Sequence, residues 1–350
     1  MRVLMVGVSR RTGGGMWSVV QSYLDNKDFC RRCHLHYIAV STSGNIVWKL
    51  IFNAFGLTRV FFYNLFYTYD ILHIHMSERG SVFRKYYVMK ICRLRRPKII
   101  IHMHGAEFEK WYKSLNKVQQ NKVRQILNTA DVVILLGEYW RNFVSHLLDD
   151  DEKIRVLYNS VEKREYCYDS TSKKIIFLGE VSKRKGIYDL LESIKHVLPK
   201  DGFKLFIYGK DKVGGVDALI KRMGLENLVI YGGYLREKEK KRCFKDVALS
   251  VLPSYNEGLP VTILETMSFG IPNISTMVAA IPEVIVNNQN GMLVKPGDVR
   301  SLACAIDYMI TNPEERVKMS KKAYNTVMDK FLMGHYLELL FDIYKELLAR

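Results

Sequence analysis

The apolar residues of this chain come in two rhythms. Short unbroken runs, such as VLMVG near the start, KIIIHMH at Lys98–His104 and KIIFL at Lys174–Leu178, lack polar alternation, as strands buried on both faces do. Between them lie longer segments with apolar residues three or four apart, the spacing of a helix packed on one side. One series of runs covers Arg2–Val8, His34–Ser41, Ile71–His75, Lys98–His104 and Val132–Leu136. A second covers Lys174–Leu178, Lys204–Tyr208, Leu228–Tyr231, Leu249–Leu252 and Asn273–Ser275. Strands alternating with helices predict an α/β fold of two Rossmann-like domains, facing each other across a cleft at the carboxyl ends of their sheets. Asn159–Ser172 is polar and aperiodic, so it is expected to be the linker between domains at 1–165 and 166–335. Amphipathic helices are expected at Pro313–Lys330 and Tyr336–Leu348.

Within the second series, PSYNEGLPVTILETMSFGIP at Pro253–Pro272 changes midway from a Gly/Pro-marked loop to helical spacing. Pro260 falls where a helix begins, and Gly270 with Pro272 where one stops. Glu257 then lies in a loop at a helix start and Glu265 about two turns further on. The free N–H groups and partial positive charge of a helix start suit an anion such as phosphate. Eight residues of helix hold the two carboxylates roughly 10 Å or more apart, beyond the ~5 Å of a retaining hydrolase pair. Neither is expected to be a conventional nucleophile.

Gly13, Gly14 and Gly15 join the first strand to a helix from about Met16 to Leu24. Such a turn lets backbone N–H groups approach a phosphate or sugar, although the glycines lack GxGxxG spacing and a bare flexible turn fits equally. His104 closes an apolar strand and precedes Gly105, where a doubly wound sheet hands over to a ligand-binding loop; a satisfied buried histidine is the alternative. Three HxH pairs, His34/His36, His73/His75 and His102/His104, each place two imidazoles on one strand face, but no supporting carboxylates lie near them. No metal is expected there. Cys30, Cys33 and His34 spell CxxCH and Asp149–Asp151 contains DxD; both are assigned to chance and to a solvated charge run.

Charge sharpens the picture. The formal net charge is +17, and residues 1–165 hold 26 Lys+Arg against 14 Asp+Glu while the remainder holds 27 against 22. The first domain therefore faces something anionic: nucleic acid, an acidic membrane or a phosphorylated substrate. A nucleic-acid reader motif is not found. Ile46–Tyr69 is rich in aromatic residues but is interrupted by Lys49, Asn53, Gly56, Arg59 and Asn64, too often for a transmembrane helix. With the basic run Arg84–Lys98 it suggests a surface lying against anionic lipid, the alternative being core helices with a solvated basic rim. The six cysteines are irregularly spaced and the chain opens on a strand rather than a signal peptide, so the cytoplasm is expected.

The run EGLPVTILE, with seven residues between its glutamates, resembles the EX7E motif of retaining glycosyltransferases of family 4, which have the GT-B fold. Other segments follow the same family in order: Gly13–Gly15, His104-Gly105, Ala130–Val133, Val156–Asn159, Lys185-Gly186 and the turn Gly291–Asp298. The resemblance covers nearly the whole chain. It implies transfer of a hexose-type sugar from a nucleotide sugar, with UDP favoured, to a glycan or lipid-linked acceptor in bacterial surface polysaccharide synthesis. An epimerase or phosphorylase on the same fold is the alternative. It further implies that Glu265 binds the ribose hydroxyls, that Glu257 with the N–H groups of Gly258 and Leu259 contacts the donor sugar, and that Lys185 neutralises the diphosphate. His104 would lie beside the sugar, and Gly14 and Gly15 would approach the diphosphate and acceptor. Glu180 stands where the family has arginine after Gly179, so Arg184 is expected to supply that charge. No cofactor or metal is implied. In such folds the terminal helix, 336–350 here, crosses back to the first domain; a helix capping the second is the other reading.

Overall fold

The computed structural model describes every residue except Leu198, Pro199, Asp201 and Arg350. Among the described residues the strands form two sheets of six, parallel throughout. The first contains β1 (Val3–Gly7), β2 (His36–Ala39), β3 (Ile71–Met76), β4 (Lys98–Met103), β5 (Val132–Leu135) and β6 (Ile154–Val156), in the order β2-β1-β3-β4-β5-β6. The second contains β7 (Lys174–Leu178), β8 (Lys204–Tyr208), β9 (Val229–Tyr231), β10 (Leu249–Leu252), β11 (Asn273–Thr276) and β12 (Gly291–Val294), ordered β12-β11-β10-β7-β8-β9. Parallel neighbours need long crossovers, which helices supply, and helices on both faces explain why β1, β3, β5, β10 and β11 are buried at every residue.

The chain divides into two compact units, Met1–Asn159 with Met333–Arg350, and Ser160–Leu332. The boundary at Asn159 lies a few residues before the 165 expected from sequence. The terminal helix Met333–Ala349 belongs to the first unit, where its buried Tyr336 hydroxyl pairs with that of Tyr23 and Tyr344 OH lies 2.6 Å from His73 Nδ1. Arg32 holds the same helix through both oxygens of Glu338. In the second unit the irregular segment after Ser160 is pinned by buried Arg316, on the helix Pro313–Lys330. Arg316 donates to Tyr168 OH at 2.8 Å, Met309 O at 2.6 Å and Ser170 O at 2.9 Å.

The aromatic-rich stretch forms one unbroken helix, Ile46–Phe66, of 21 residues, capped by Asn45 Oδ1 accepting from Trp48 N–H at 2.8 Å. Of the residues that interrupt its apolar sequence, Asn53, Gly56 and Asn64 fall on the face turned toward the unit, whereas Lys49 and Arg59 are exposed. A Cβ on Gly56 would lie 2.8 Å from Val40 Cα, so only glycine allows the helix to sit this close. Asn64 donates to Ile91 O at 3.1 Å and accepts from Tyr69 OH at 2.7 Å. Among the described residues this helix alone is long and apolar enough to cross a bilayer, and only 11% of its most apolar window is buried. One sequence expectation changes: the basic run Arg84–Lys98 loses two members, as Lys85 is fully buried, donating to Gly7 O, and Arg84 bonds to Ser41 Oγ at 3.1 Å.

Candidate active site

In the second unit, β7 hands over through Gly179 and the exposed Glu180 to a single 3-10 turn, Lys183–Lys185, followed by Gly186. Gly186 adopts φ +74°, and a Cβ there would lie 2.0 Å from Pro253 O. That glycine is what lets the basic turn press against the loop that follows β10. The backbone N–H of Tyr255 donates to Arg184 O at 2.8 Å, and Arg184 Nη1 donates to Asn256 O at 2.8 Å. Arg184 thus fastens one loop to the other.

The contact delivers Lys185 to Glu257. Lys185 Nζ donates to Glu257 Oε1 at 2.5 Å, and Ser254 Oγ donates to the same oxygen at 2.6 Å. The Glu257 and Lys185 side chains are only 6% and 13% exposed. A carboxylate so deep is tolerable because a cation and a hydroxyl compensate its lost hydration. Gly258, Leu259 and Pro260 are buried behind it.

Pro260 takes the N-cap position of a short helix, Val261–Met267, rather than a place in its first turn. Ile263, Leu264, Thr266 and Met267 face inward, which leaves Glu265 on the partly open side with Val261 and Thr262. Both oxygens of Glu265 accept from Lys240 Nζ, at 2.8 and 3.0 Å. Lys240 lies on the helix Glu237–Cys243, and nothing in its charge-rich sequence singled it out. Ser254 was missed for the same reason: both partners are defined by tertiary contact. Lys185, Arg184, Glu257, Gly258 and Leu259 are brought together as one cluster, and Glu265 stands further along the same segment.

The other expected residues belong to the first unit. Gly13 and Gly14 have φ +63° and +74°, and Gly13 caps the helix Gly14–Asp25. Around Gly13, Gly14 and Gly15 a Cβ would meet no atom within 4 Å, so the loop is open. His104 follows β4, with its N–H on Met76 O at 2.7 Å and Nε2 2.9 Å from His75 Nδ1. Its ring packs 4.2 Å from that of His102, and burial pushes its pKa down to about 3, so it is neutral near pH 7.

Two of the three HxH pairs interlock here. His75 of β3 lies opposite His102 of β4, and ring nitrogens of His73, His75 and His102 come within 4.8 Å of one another. These three could geometrically hold an ion; His75 Nε2 and His102 Nε2 have no hydrogen-bond partner. The pair at His34/His36 does not converge, since His34 is exposed and His36 stacks on Tyr63 at 4.2 Å. All six cysteines are free, and Asp150 of the DxD caps a surface turn by accepting from Glu152 N–H.

Comparison with known proteins accounts for both units. Residues 160–326 match the family described as glycosyl transferases group 1, and residues 19–165 match glycosyltransferase family 4. The N-acetyl-alpha-D-glucosaminyl L-malate synthase of Bacillus anthracis is 24% identical over 79% of this chain and 76% of its own. The putative colanic acid biosynthesis glycosyltransferase WcaL of Escherichia coli is 24% identical over 67% of this chain and 60% of its own. Among solved structures, Anabaena HepE in complex with UDP superposes with TM-score 0.77 at 16% identity, covering 99% of this chain and all of that one, a likeness of fold. With two parallel six-stranded Rossmann-like units and both family models matched in order, the chain belongs to the group 1/family 4 glycosyltransferases of GT-B fold.

Proposed function

We propose that the protein moves a hexose-type sugar from a nucleotide sugar, with UDP as the favoured carrier, to a glycan or lipid-linked acceptor at the inner membrane face, during surface polysaccharide synthesis. Transfer retains the anomeric configuration and uses no metal. The observation that carries this reading is the buried Lys185–Glu257–Ser254 cluster with Glu265 further along the same segment. The relative named for colanic acid biosynthesis and the fold neighbour bound to UDP support the choice of acceptor and donor class.

Each assignment has a physical basis. A lysine ammonium has three donors, so Lys185 keeps two for a diphosphate while one remains on Glu257. Negative charge grows on the departing phosphate, and fixed cations at Lys185 and Arg184 oppose it without reorganisation. Glu257, held in place by Lys185 and Ser254, accepts from hydroxyls of the donor sugar, with Gly258 and Leu259 offering backbone N–H groups. A carboxylate has about four acceptor positions, so Glu265 can receive ribose hydroxyls while holding Lys240. His104, a neutral imidazole, is assigned to the donor sugar, and Gly14 and Gly15 to the diphosphate and acceptor side. The leaving phosphate helps to deprotonate the acceptor on the same face as departure, which is what the resemblance to retaining family 4 glycosyltransferases implies.

The test is transfer from a labelled UDP-hexose into membrane-extracted lipid-linked glycans, with the new linkage read by NMR and chelator present. Retained configuration supports the proposal. Inverted configuration, dependence on a divalent ion, or conversion of the donor without acceptor would refute its corresponding part.

A further inference from the structure

The helix Ile46–Phe66 is amphipathic the wrong way round for a globular surface. Val47, Ile51, Phe55, Phe62, Leu65 and Phe66 recur along its outer side, each at least 50% exposed. The inner side carries Asn53, Gly56, Val60 and Asn64. At 1.5 Å per residue this presents an apolar strip roughly 30 Å long. So large a contiguous patch marks an interaction surface, and its neighbours indicate which kind.

Both ends of the strip are basic. At the start, the Arg11 guanidinium lies 5.6 Å from the Trp48 ring. At the finish, Arg95 donates to Asn64 O at 2.8 Å and to Leu65 O at 2.6 Å, fixing the exposed turn Arg93–Arg95 and Arg96 beside the last helical carbonyls. Lys49 and Arg59 add charge along the helix itself. Apolar residues that enter acyl chains, flanked by cations at headgroup level, match the interface of an anionic bilayer.

The contacts also decide between lying in a membrane and crossing one. Gly56 is seated against Val40 backbone, and Asn64 bonds to Ile91 O and Tyr69 OH; both ties would break if the helix left the unit to cross. We infer that Ile46–Phe66 is a monotopic docking helix that lies flat in the interface of an anionic lipid bilayer while remaining packed on its unit. This deepens the membrane-face reading above by naming the surface, and it requires neither donor, acceptor nor turnover.

The test uses the full chain and vesicles of phosphatidylcholine with or without phosphatidylglycerol. The protein should cosediment with the anionic vesicles, bind the zwitterionic ones at least roughly tenfold more weakly, and be released by alkaline carbonate. Phe55→Glu with Phe62→Glu should abolish binding, and Arg93→Ala with Arg96→Ala, on exposed positions away from the packed face, should reduce the preference for anionic lipid. Unchanged vesicle binding in both variants would overturn the inference. So would resistance to carbonate extraction, which would mean a crossing helix, or a vesicle-indifferent dimer that Phe55→Glu dissolves, which would mean that a second copy covers the strip. A protein that binds vesicles but transfers no sugar would refute the enzymatic proposal alone.

Discussion

Lys240 Nζ bridges both carboxylate oxygens of Glu265, at 2.8 and 3.0 Å, with each side chain under one-fifth exposed (17% and 18%). The carboxylate assigned to a ribose is therefore oriented before any ligand meets it, by a residue from another helix. Lys240→Met should remove one restraint on Glu265 and weaken nucleoside diphosphate binding by about threefold to tenfold, a preorganisation effect of roughly 1 kcal/mol. Titration calorimetry with UDP measures it. Lys240 acts through Glu265, so the loss should vanish in a Glu265→Ala background.

The Lys185–Glu257 pair should behave differently. Removing Lys185 leaves a buried carboxylate that still accepts from Ser254 but has lost its cation, at a cost of about 3 kcal/mol in unfolding free energy. Lys185→Met with Glu257→Gln removes both charges and should recover most of that loss. Neither variant should turn over donor at more than about one-hundredth of the wild-type rate, because fixed charge at the leaving group is gone. Urea unfolding and a transfer assay read the two effects separately.

Much of this was legible in the sequence. KIIFL and KLFIY give β7 and β8 residue for residue, and in β7 the unbroken apolar run matches burial at four of its five residues. The order of the two strand series, and the segment carrying Glu257 and Glu265, also follow from local pattern. What sequence could not supply were partners distant along the chain, such as Lys240 for Glu265 or Ser254 and Lys185 together on Glu257. The helix Ile46–Phe66 shows the same limit, because which of its residues face the unit is set by packing rather than by spacing along the sequence. Placed around a helix, Asn53, Gly56 and Asn64 share one face and interrupt nothing on the other. Lys85 failed in the same way, as a basic residue counted as surface that turned out to be buried.

The interlocked histidines make the first unit acid-sensitive. Burial is the leading cause in each case: it pushes His73 and His104 down to about 3 from 6.5, and His75 and His102 well below that ordinary value. Between about 3 and 6.5 the unfolded chain binds protons that the folded one refuses. Stability contributed by these groups is therefore complete above the unfolded value and is lost as pH falls, by up to about 1.4 kcal/mol per pH unit for each histidine. Urea midpoints compared at about pH 7 and about pH 5 should drop in the wild type and drop less in His102→Asn. An equal drop in both would disprove the assignment.

Arg316 should be the stability keystone of the second unit's entry segment. Its guanidinium satisfies Met309 O, Ser170 O and Tyr168 OH while itself buried. Arg316→Ala leaves those acceptors without it, at a cost of about 3 kcal/mol, and Arg316→Lys should recover less than half because one ammonium cannot reproduce the planar fork. Thermal unfolding with and without UDP would show the loss, and the nucleotide should restore part of it by mass action.

Separate tasks for Glu257 and Glu265, two glutamates of one short segment, are tested most directly by calorimetric titration of UDP against Glu265→Ala and Glu257→Ala. The prediction is that Glu265→Ala weakens binding by about tenfold or more, whereas Glu257→Ala stays within about threefold of wild type and loses turnover instead. Equal loss of nucleotide affinity in the two variants, or no UDP binding by the wild-type protein, would contradict it.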